Sequence, residues 1–154
     1  MKKRNQFDLV RGEHGASLVE TALVLPFFFL LMLGAVDFAR AIYLGIEIAG
    51  AAHAGAVYGS QNPTDLTGIT AAAQDDAPDV PGLSVGTPTY GCECADGTHY
   101  TASCSTTPSC ANNLNVVYRV NVTVTGTFAP LFSWPGIPSS TPLSSSASMR
   151  SAGS

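Results

Sequence analysis

One glutamate lies inside the most apolar stretch of the chain, and its position suggests a chemical role. Glu20 is the single charged residue in the segment 16–36. A charge within a bilayer costs roughly 2.5–3.5 kcal/mol on insertion scales, and such groups are usually functional. If the chain is cut between Gly15 and Ala16, the new amine lies four residues before Glu20, one helical turn away. The carboxylate can then pair with its own amine or with that of a neighbouring helix. Alternatively, Glu20 lies near the membrane interface, where a helix N-terminus favours negative charge.

Four cysteines offer a second kind of chemistry. They fall within 19 residues of one another: Cys92, Cys94, Cys104 and Cys110. An even number of cysteines in an oxidising compartment predicts disulfides. A bridge between Cys92 and Cys94 is disfavoured because one residue separates them, so we expect each to pair with one of the two later cysteines, with the connectivity open. Zinc, with His99 as a further ligand, is the alternative, but the spacing is not that of a usual zinc ribbon.

Motifs of enzymatic catalysis are absent from the sequence. It contains no nucleophile elbow, phosphate loop, metalloprotease helix or glycine-rich nucleotide fingerprint. Three histidines and a charged fraction of 12% leave little material for a catalytic site. Seven Lys and Arg against eleven Asp and Glu argue against nucleic-acid binding. We therefore expect no enzymatic activity, no cofactor and no metal site.

Basic residues are concentrated at the start of the chain. Residues 1–15 carry four Lys or Arg and two acidic side chains, whereas residues 16–154 carry three Arg and nine Asp or Glu. The apolar segment 16–36 follows directly, and about 20 such residues cross a bilayer as a helix. Positive charge before the span predicts a cytoplasmic N-terminus and an exported remainder.

Two simpler functions of this segment compete with a specialised one. A cleaved secretory signal peptide has the same basic start and apolar middle, but its apolar part is usually about 7–15 residues long. Glu20 within the run, and charges at Asp37 and Arg40 in place of a small-residue cleavage site, count against it. A plain uncleaved anchor is the other alternative.

Helical periodicity continues beyond the span. Residues 37–59 hold no proline, and their small and apolar residues recur at helical spacing. A single helix over 16–59 would be about 66 Å long, against about 30 Å for the hydrocarbon core. The segment 37–60 is therefore expected to project into the exported space. Pro26 lies within the span, where its missing backbone hydrogen bond favours a kink.

Small residues recur at every fourth position of this helix in two rows: Ala41, Gly45, Ala49 and Ala51, Gly55, Gly59. Such rows let helices approach closely. They can serve contacts with sister subunits or packing on the chain's own domain. Both interpretations stay open because one helix can do both on different faces.

The remainder, 61–154, predicts a small α+β domain with a Cys-rich loop at 92–110. Gln61-Asn62-Pro63 ends the long helix, and Thr64-Asp65 can cap a short helix over 66–76. The clearest strand is 116–128, in which valines alternate with polar residues. One such strand implies an antiparallel sheet with the long helix on its apolar face.

Weaker patterns suggest the rest of the sheet. Segments 83–85 and 98–102 are the expected partner strands, and 144–149 is the expected last edge strand. Residues 133–146, which are rich in proline and serine, are expected to form a loop.

The string around the charged residue carries a family resemblance. Gly15-Ala-Ser-Leu-Val-Glu20 resembles a type IV prepilin processing site, with a glycine, a cut, a glutamate at the fifth mature position and an apolar helix. Extended to Pro26, and together with Gly34 and Asp37-Phe-Ala-Arg40, it resembles the TadE-like family of pilus-assembly pseudopilins. The resemblance is dense over about residues 13–60 and weak beyond.

The resemblance implies a minor, pilin-like protein of the Flp (tight adherence) pilus system in the bacterial inner membrane. A membrane-embedded prepilin peptidase would remove the leader 1–15 at the Gly15–Ala16 bond, and Glu20 would be the assembly carboxylate. The other partners would be pilins, pseudopilins, the Tad assembly platform and its cytoplasmic ATPase. The exported domain would lie in the periplasm, and the mature protein would act in pilus assembly. A permanently anchored periplasmic binding module with a disulfide-closed ligand surface is the alternative function.

Overall fold

The computed structural model describes the backbone of residues 14–111, 115–133 and 135–151, with side chains from residue 17 onward. Most of the predicted leader, residues 1–13, therefore lies outside the described residues. Two helices and four strands follow one another along the chain: α1 (His14–Gln61), α2 (Leu66–Asp76), β1 (Ser84–Val85), β2 (Thr89–Cys94), β3 (Val116–Phe128) and β4 (Thr141–Ser151). The fold class is α+β, as predicted. The chain divides into two compact units, Met1–Ala39 and Arg40–Ser154.

Helix α1 is one continuous helix of 48 residues that runs through Pro26. At 1.5 Å per residue it is about 72 Å long. By length and composition it can cross a membrane, with a mean hydropathy of 2.2 in its most apolar window. Its apolar side chains in the first unit are exposed, for example Phe27 at 69% and Leu31 at 75%. Such a surface suits a lipid environment better than water.

The start of α2 is tied to the last turns of α1 by one side chain. Asp65 is the N-cap residue of α2 and accepts a hydrogen bond from the Gly68 backbone N–H at 3.0 Å. The Tyr58 hydroxyl of α1 donates to the same carboxylate at 2.8 Å. The Gly68 bond, followed by the Tyr58 bond, lowers the pKa of Asp65. The predicted capping at Thr64-Asp65 is thus confirmed.

Strand β3 lies at the centre of an antiparallel sheet. Its residues 118–121 pair with both β2 and β4, so these two strands lie on opposite sides of it. Strand β1 pairs with Val124 and Thr125, which also pair with β4, so β1 lies on the same side as β2. The predicted strand 116–128 is confirmed at both ends.

The weaker strand predictions are partly wrong. The expected strand 98–102 contributes only a single bridge, from Thr101 to Cys92. The partner of β3 is instead β2, Thr89–Cys94, which contains Gly91 and no β-branched residue after Thr89. The expected edge strand 144–149 is confirmed as part of β4, whereas residues 141–146, also expected in the loop, belong to that strand. Strand β4 accepts Pro142 because, among the described residues, it pairs with β3 alone and forms a sheet edge.

The core lies between α1, α2 and the valine face of β3. Its buried side chains come from α1 (Leu44, Ile48, Ala51, Ala52, Ala56), α2 (Ile69, Ala73), the following segment (Ala77, Val80) and β3 (Val120, Val122, Val124). The prediction that the long helix covers the apolar face of the sheet is confirmed. Alanines and valines dominate this core, so it depends on close approach of the backbones.

The two rows of small residues have different environments. A Cβ atom at Gly55 would lie 3.1 Å from the Ala73 Cβ, and one at Gly59 would lie 2.7 Å from Val120 Cγ1. The row at 51, 55 and 59 therefore packs on the chain's own domain. At Gly45 an added Cβ would meet nothing within 4 Å, and Ala49 is exposed. The row at 41, 45 and 49 is thus available for another partner.

This difference predicts opposite effects of the same substitution. Gly59→Ala should lower the free energy of unfolding by about 1–3 kcal/mol, because the methyl group overpacks against Val120. Gly45→Ala is the matched control on the same helix and should raise stability by up to about 1 kcal/mol through helix propensity. Chemical unfolding of the detergent-solubilised protein measures both values. Equal effects at the two positions would contradict the assignment of the two rows.

Candidate functional site

The candidate processing segment lies in the first turns of α1. The helix begins at His14, so the backbones of Gly15 and Ala16 are helical. The described side chains begin at Ser17, whose carbonyl accepts a hydrogen bond from the Thr21 hydroxyl at 2.9 Å. The structure therefore places the predicted scissile bond at the very start of the helix, one turn before Glu20.

Glu20 is an exposed carboxylate on an apolar helix surface. Together with Thr21, Val24, Leu25 and Phe28 it lines a shallow groove of about 340 Å³. In an apolar medium such a carboxylate requires a positive partner or a proton. An amine at Ala16 would lie one turn away on the same side of the helix. The geometry thus permits the predicted pairing, while the assembly role of Glu20 stays a prediction.

The four cysteines form two disulfides, Cys92–Cys104 and Cys94–Cys110. Both connect buried positions of β2 to the segment that follows it, with sequence separations of 12 and 16 residues. Loops of this length contribute about 3 kcal/mol each in the chain-entropy model. The expected avoidance of a Cys92–Cys94 bridge is confirmed. Because every sulfur is paired, none is available as a thiolate ligand for the zinc alternative.

A tight turn follows β2 and brings the chain back beside this strand. The Gly97 N–H donates to the Cys94 carbonyl at 2.7 Å, and the Cys94 N–H donates to Thr98 O at 3.0 Å. Gly97 has a φ of 86°, which favours glycine. The returning chain would clash with a Cβ atom at Gly91, chiefly through the Thr101 carbonyl oxygen and also through the Tyr100 ring, which would lie 2.7 Å away. Glycine at 91 is therefore required by this close approach.

A buried carboxylate with two arginines was not predicted from the sequence. Glu93 is 1% exposed. Its Oε1 accepts a hydrogen bond from Arg119 Nη2 at 3.1 Å and forms an ion pair with Arg150 Nε. Arg119 Nε lies 2.8 Å from Oε2, but its N–H makes no hydrogen bond there, so this contact is purely ionic. These three residues, the Glu93 triad, connect β2, β3 and β4.

Two members of the Glu93 triad, Glu93 and Arg119, line a small pocket. Glu93, Gly97, Tyr100, Arg119 and Asn121 line a cavity of about 340 Å³. The guanidinium carbon of Arg119 lies 6.0 Å from the centre of the Tyr100 ring. Two guanidinium groups against one carboxylate leave a surplus positive charge. Chemically, this arrangement can attract an anion such as a carboxylate.

The sequence gives one indication of the Glu93 triad, namely the scarcity of arginines beyond the leader. Only three arginines follow residue 16, and two of them are Arg119 and Arg150. Both arginines lie in segments in which polar and apolar residues alternate. The sheet register places Arg119 of β3 opposite both Gly91 of β2 and Arg150 of β4. Only this register brings the two arginines together.

A comparison with protein-family models concerns α1 alone. The model of the family described as TadE-like protein matches residues 15–57. Over this segment the chain is similar to the TadE-like family. The match begins at Gly15 and ends near the end of α1, so it confirms the resemblance read from the sequence. It includes neither the sheet, nor the disulfides, nor the Glu93 triad.

The TadE-like match is not extended by the other comparisons. No curated protein and no solved structure matches the chain.

The Glu93 triad leads to a stability prediction. The double variant Arg119→Met/Arg150→Met leaves Glu93 buried without a partner and should cost about 3–5 kcal/mol of unfolding free energy. Adding Glu93→Leu should restore most of the loss, since apolar replacement of a whole buried ion cluster is often neutral or stabilising. Non-reducing chemical unfolding keeps the disulfides intact during the measurement. A double variant as stable as the unmodified protein would refute a stabilising role of the triad.

Proposed function

We propose that this protein is a pilin-like protein, a pseudopilin, that acts in assembly of a bacterial Flp/Tad type IV pilus. The observation that carries the proposal is the TadE-like match over residues 15–57. That family suggests involvement in Tad pilus assembly. The matched segment coincides with the one described helix that is long and apolar enough to span a membrane.

The proposed location is the bacterial inner membrane, with a cytoplasmic N-terminus and the domain beyond α1 in the periplasm. The four Lys and Arg before the span support this orientation. Two disulfides in the domain support an oxidising compartment on that side. The bacterial periplasm is such a compartment.

The proposed maturation is a cut by prepilin peptidase at the Gly15–Ala16 bond. It removes four basic side chains and creates an amine beside an otherwise uncompensated carboxylate. Pairing of Glu20 with that amine, or with the amine of a neighbouring helix, lowers the cost of a charge inside the bilayer. In the second arrangement the pair also sets the register between adjacent subunits.

The exposed face of α1 beyond the span supports contacts with other pilins or pseudopilins. Gly45 has open space around it, while Ile42 and Ile46 beside it are 49% and 64% exposed. A small-residue row flanked by apolar side chains allows close helix packing. The proposed partners also include the Tad assembly platform and its ATPase.

Catalysis is assigned in this proposal to partners and not to this chain. The peptidase cleaves the leader, and a cytoplasmic ATPase supplies the force for extrusion. The protein itself contributes recognition, anchoring and packing.

A second candidate function is a permanently anchored periplasmic binding module. The pocket beside Arg119 and Tyr100, with its surplus positive charge, favours this alternative. It requires no processing at Gly15, and this requirement separates the two functions.

Processing gives a direct test. Protein isolated from the membranes of a host with prepilin peptidase should begin at Ala16, because the cut removes residues 1–15. N-terminal sequencing or intact mass measurement shows this. The matched control is the same host without the peptidase, in which the chain should keep its leader. An intact Met1 start in the host with the peptidase would refute the proposed maturation and favour the anchored module.

Glu20→Ala tests the assembly carboxylate. We expect normal membrane insertion but an approximately tenfold weaker association with partner pilins, which corresponds to about 1.4 kcal/mol of lost pairing energy. Co-purification from detergent extracts and pilus yield provide the readouts. Thr21→Ala, at nearly the same depth, is the control and should leave both unchanged. Unaltered association and pilus yield in the glutamate variant would show that the carboxylate has no role in assembly.

A further inference from the structure

Strand β4 forms a long sheet edge that carries almost no charge. Its 11 residues, Thr141–Ser151, pair with β3 in one uninterrupted register, and among the described residues they pair with no other strand. Arg150 is the single charged residue of the strand. Proteins usually protect such edges with charges, prolines, bulges or short strands, because an open edge invites pairing with another chain. Pro142 and Arg150 protect only the two ends of β4, so residues 143–149 form an open and uncharged edge.

The backbone of Ser146 points outward from this edge. The Gly86 N–H, on the β1 side of the sheet, donates a hydrogen bond to the Thr123 carbonyl at 2.9 Å. The backbone groups of Thr123 therefore point away from β4, and those of Ser146, which pairs with Thr123, point away from β3. Backbone direction alternates along a strand, so Ser144 and Ser148 also direct their N–H and C=O groups outward. Within the described part of the chain, these outward groups have no backbone partner.

A second, antiparallel copy of β4 fits this edge when Ser146 lies opposite its own counterpart. In that register Ser144 lies opposite the partner's Ser148, and each of these outward-directed pairs can exchange two backbone hydrogen bonds. Arg150 then lies opposite Pro142, so no like charges meet and the missing proline N–H falls at the end of the ladder. A parallel copy in register would instead place two Arg150 side chains next to each other, which their repulsion disfavours.

The two faces of such a strand pair are also complementary. On the exposed face Ser144, Ser146 and Ser148 would surround the two-fold axis, where cross-strand hydroxyl pairs can form hydrogen bonds. On the other face Leu143 and Met149 are only partly buried against the core. The antiparallel register places Leu143 of one copy opposite the partner's Met149, so that each covers the other. The edge is therefore self-complementary, which favours a second copy over an unrelated strand.

We propose that two copies of this chain associate through β4, edge to edge and antiparallel about Ser146, so that their two 4-stranded sheets become one continuous sheet. In such strand addition the backbone hydrogen bonds supply the affinity. The contact lies wholly within the second compact unit, Arg40–Ser154, and goes beyond the proposed role in pilus assembly. One strand pair is smaller than the roughly 1,200–2,000 Å² of stable interfaces, so the association should be weak and concentration-dependent.

Engineered cysteines test the register of this contact. The native cysteines are all bonded in disulfides, so one added thiol is available for cross-linking. Ser146→Cys places two thiols opposite each other at a Cα separation of about 5.5 Å, which suits a disulfide. Mild oxidation of the detergent-solubilised full-length protein should then give a covalent dimer on non-reducing electrophoresis, and peptide mapping shows that the native disulfides are retained.

Ser144→Cys is the matched control on the same face of the same strand. Its two thiols lie four residues out of register, so this variant alone should give at least about tenfold less covalent dimer than Ser146→Cys. Mixing Ser144→Cys protein with Ser148→Cys protein should restore cross-linking, because these two positions lie opposite each other in the proposed register.

A charge at the two-fold axis tests the contact without cross-linking. Ser146→Lys places two ammonium groups opposite each other, and the dimer fraction in analytical ultracentrifugation should fall at least about threefold. Thr123→Lys is the matched control, because it adds the same charge to the same face one strand further from the axis. It should leave the dimer fraction unchanged, and non-reducing chemical unfolding shows that both variants fold.

Four outcomes would overturn the inference. Equal cross-linking of Ser144→Cys and Ser146→Cys would show random collision without a fixed register. A dimer fraction unaffected by Ser146→Lys would place the contact between copies elsewhere. Monomeric protein at every concentration, with no covalent dimer from Ser146→Cys, would show that the edge stays unpaired. Cross-linking of Ser146→Cys in intact cells to a different protein, and never to a second copy, would show that another strand occupies the edge.

Discussion

The close approach of α1 to β3 is the contact on which the rest of the domain depends. Gly55 and Gly59 have no side chain where α1 meets Ala73, Val120 and Val122. One consequence is that a single helix can be an apolar span in its first half and a core element in its second. A larger residue at Gly59 would overpack this contact, because even a Cβ atom there would lie 2.7 Å from Val120 Cγ1.

A core built by close approach is also a thin one. Small side chains bury little apolar area, so each contributes less transfer free energy than Leu or Phe. The far end of the sheet accordingly depends on other forces. Two disulfides attach the segment after β2, and the Glu93 triad connects three strands by charge. Reduction would break the disulfides, whereas removal of a charged side chain would break the Glu93 triad.

Local signals predicted the elements with strong boundaries, and failures occurred where tertiary pairing decides. Pro63 and the Asp65 cap defined the end of α1 and the start of α2, and strict alternation defined β3. Strand β2 was not predicted, because Gly91 and the two cysteines have no strong preference for strands. Its pairing with β3 decides that this segment is a strand. Glu93 meets its arginines only through pairings 26 and more residues away in the chain. For Gly15, Ala16 and Glu20 the opposite holds. Their sequence pattern indicates a processing site, whereas the structure of the single chain shows only that they lie in the first turns of α1.

The interleaved disulfides have a consequence for survival outside the cytoplasm. The closed segments 92–104 and 94–110 overlap, so any single break of the backbone from 94 to 104 is bridged by two covalent links. A nicking protease that reaches the exposed turn at Asp96 and Gly97 would leave the fragments joined and β2 still paired with β3. The damage would become visible only after a reductant separates the pieces. This exposed turn can therefore be cut while both fragments stay attached to the domain.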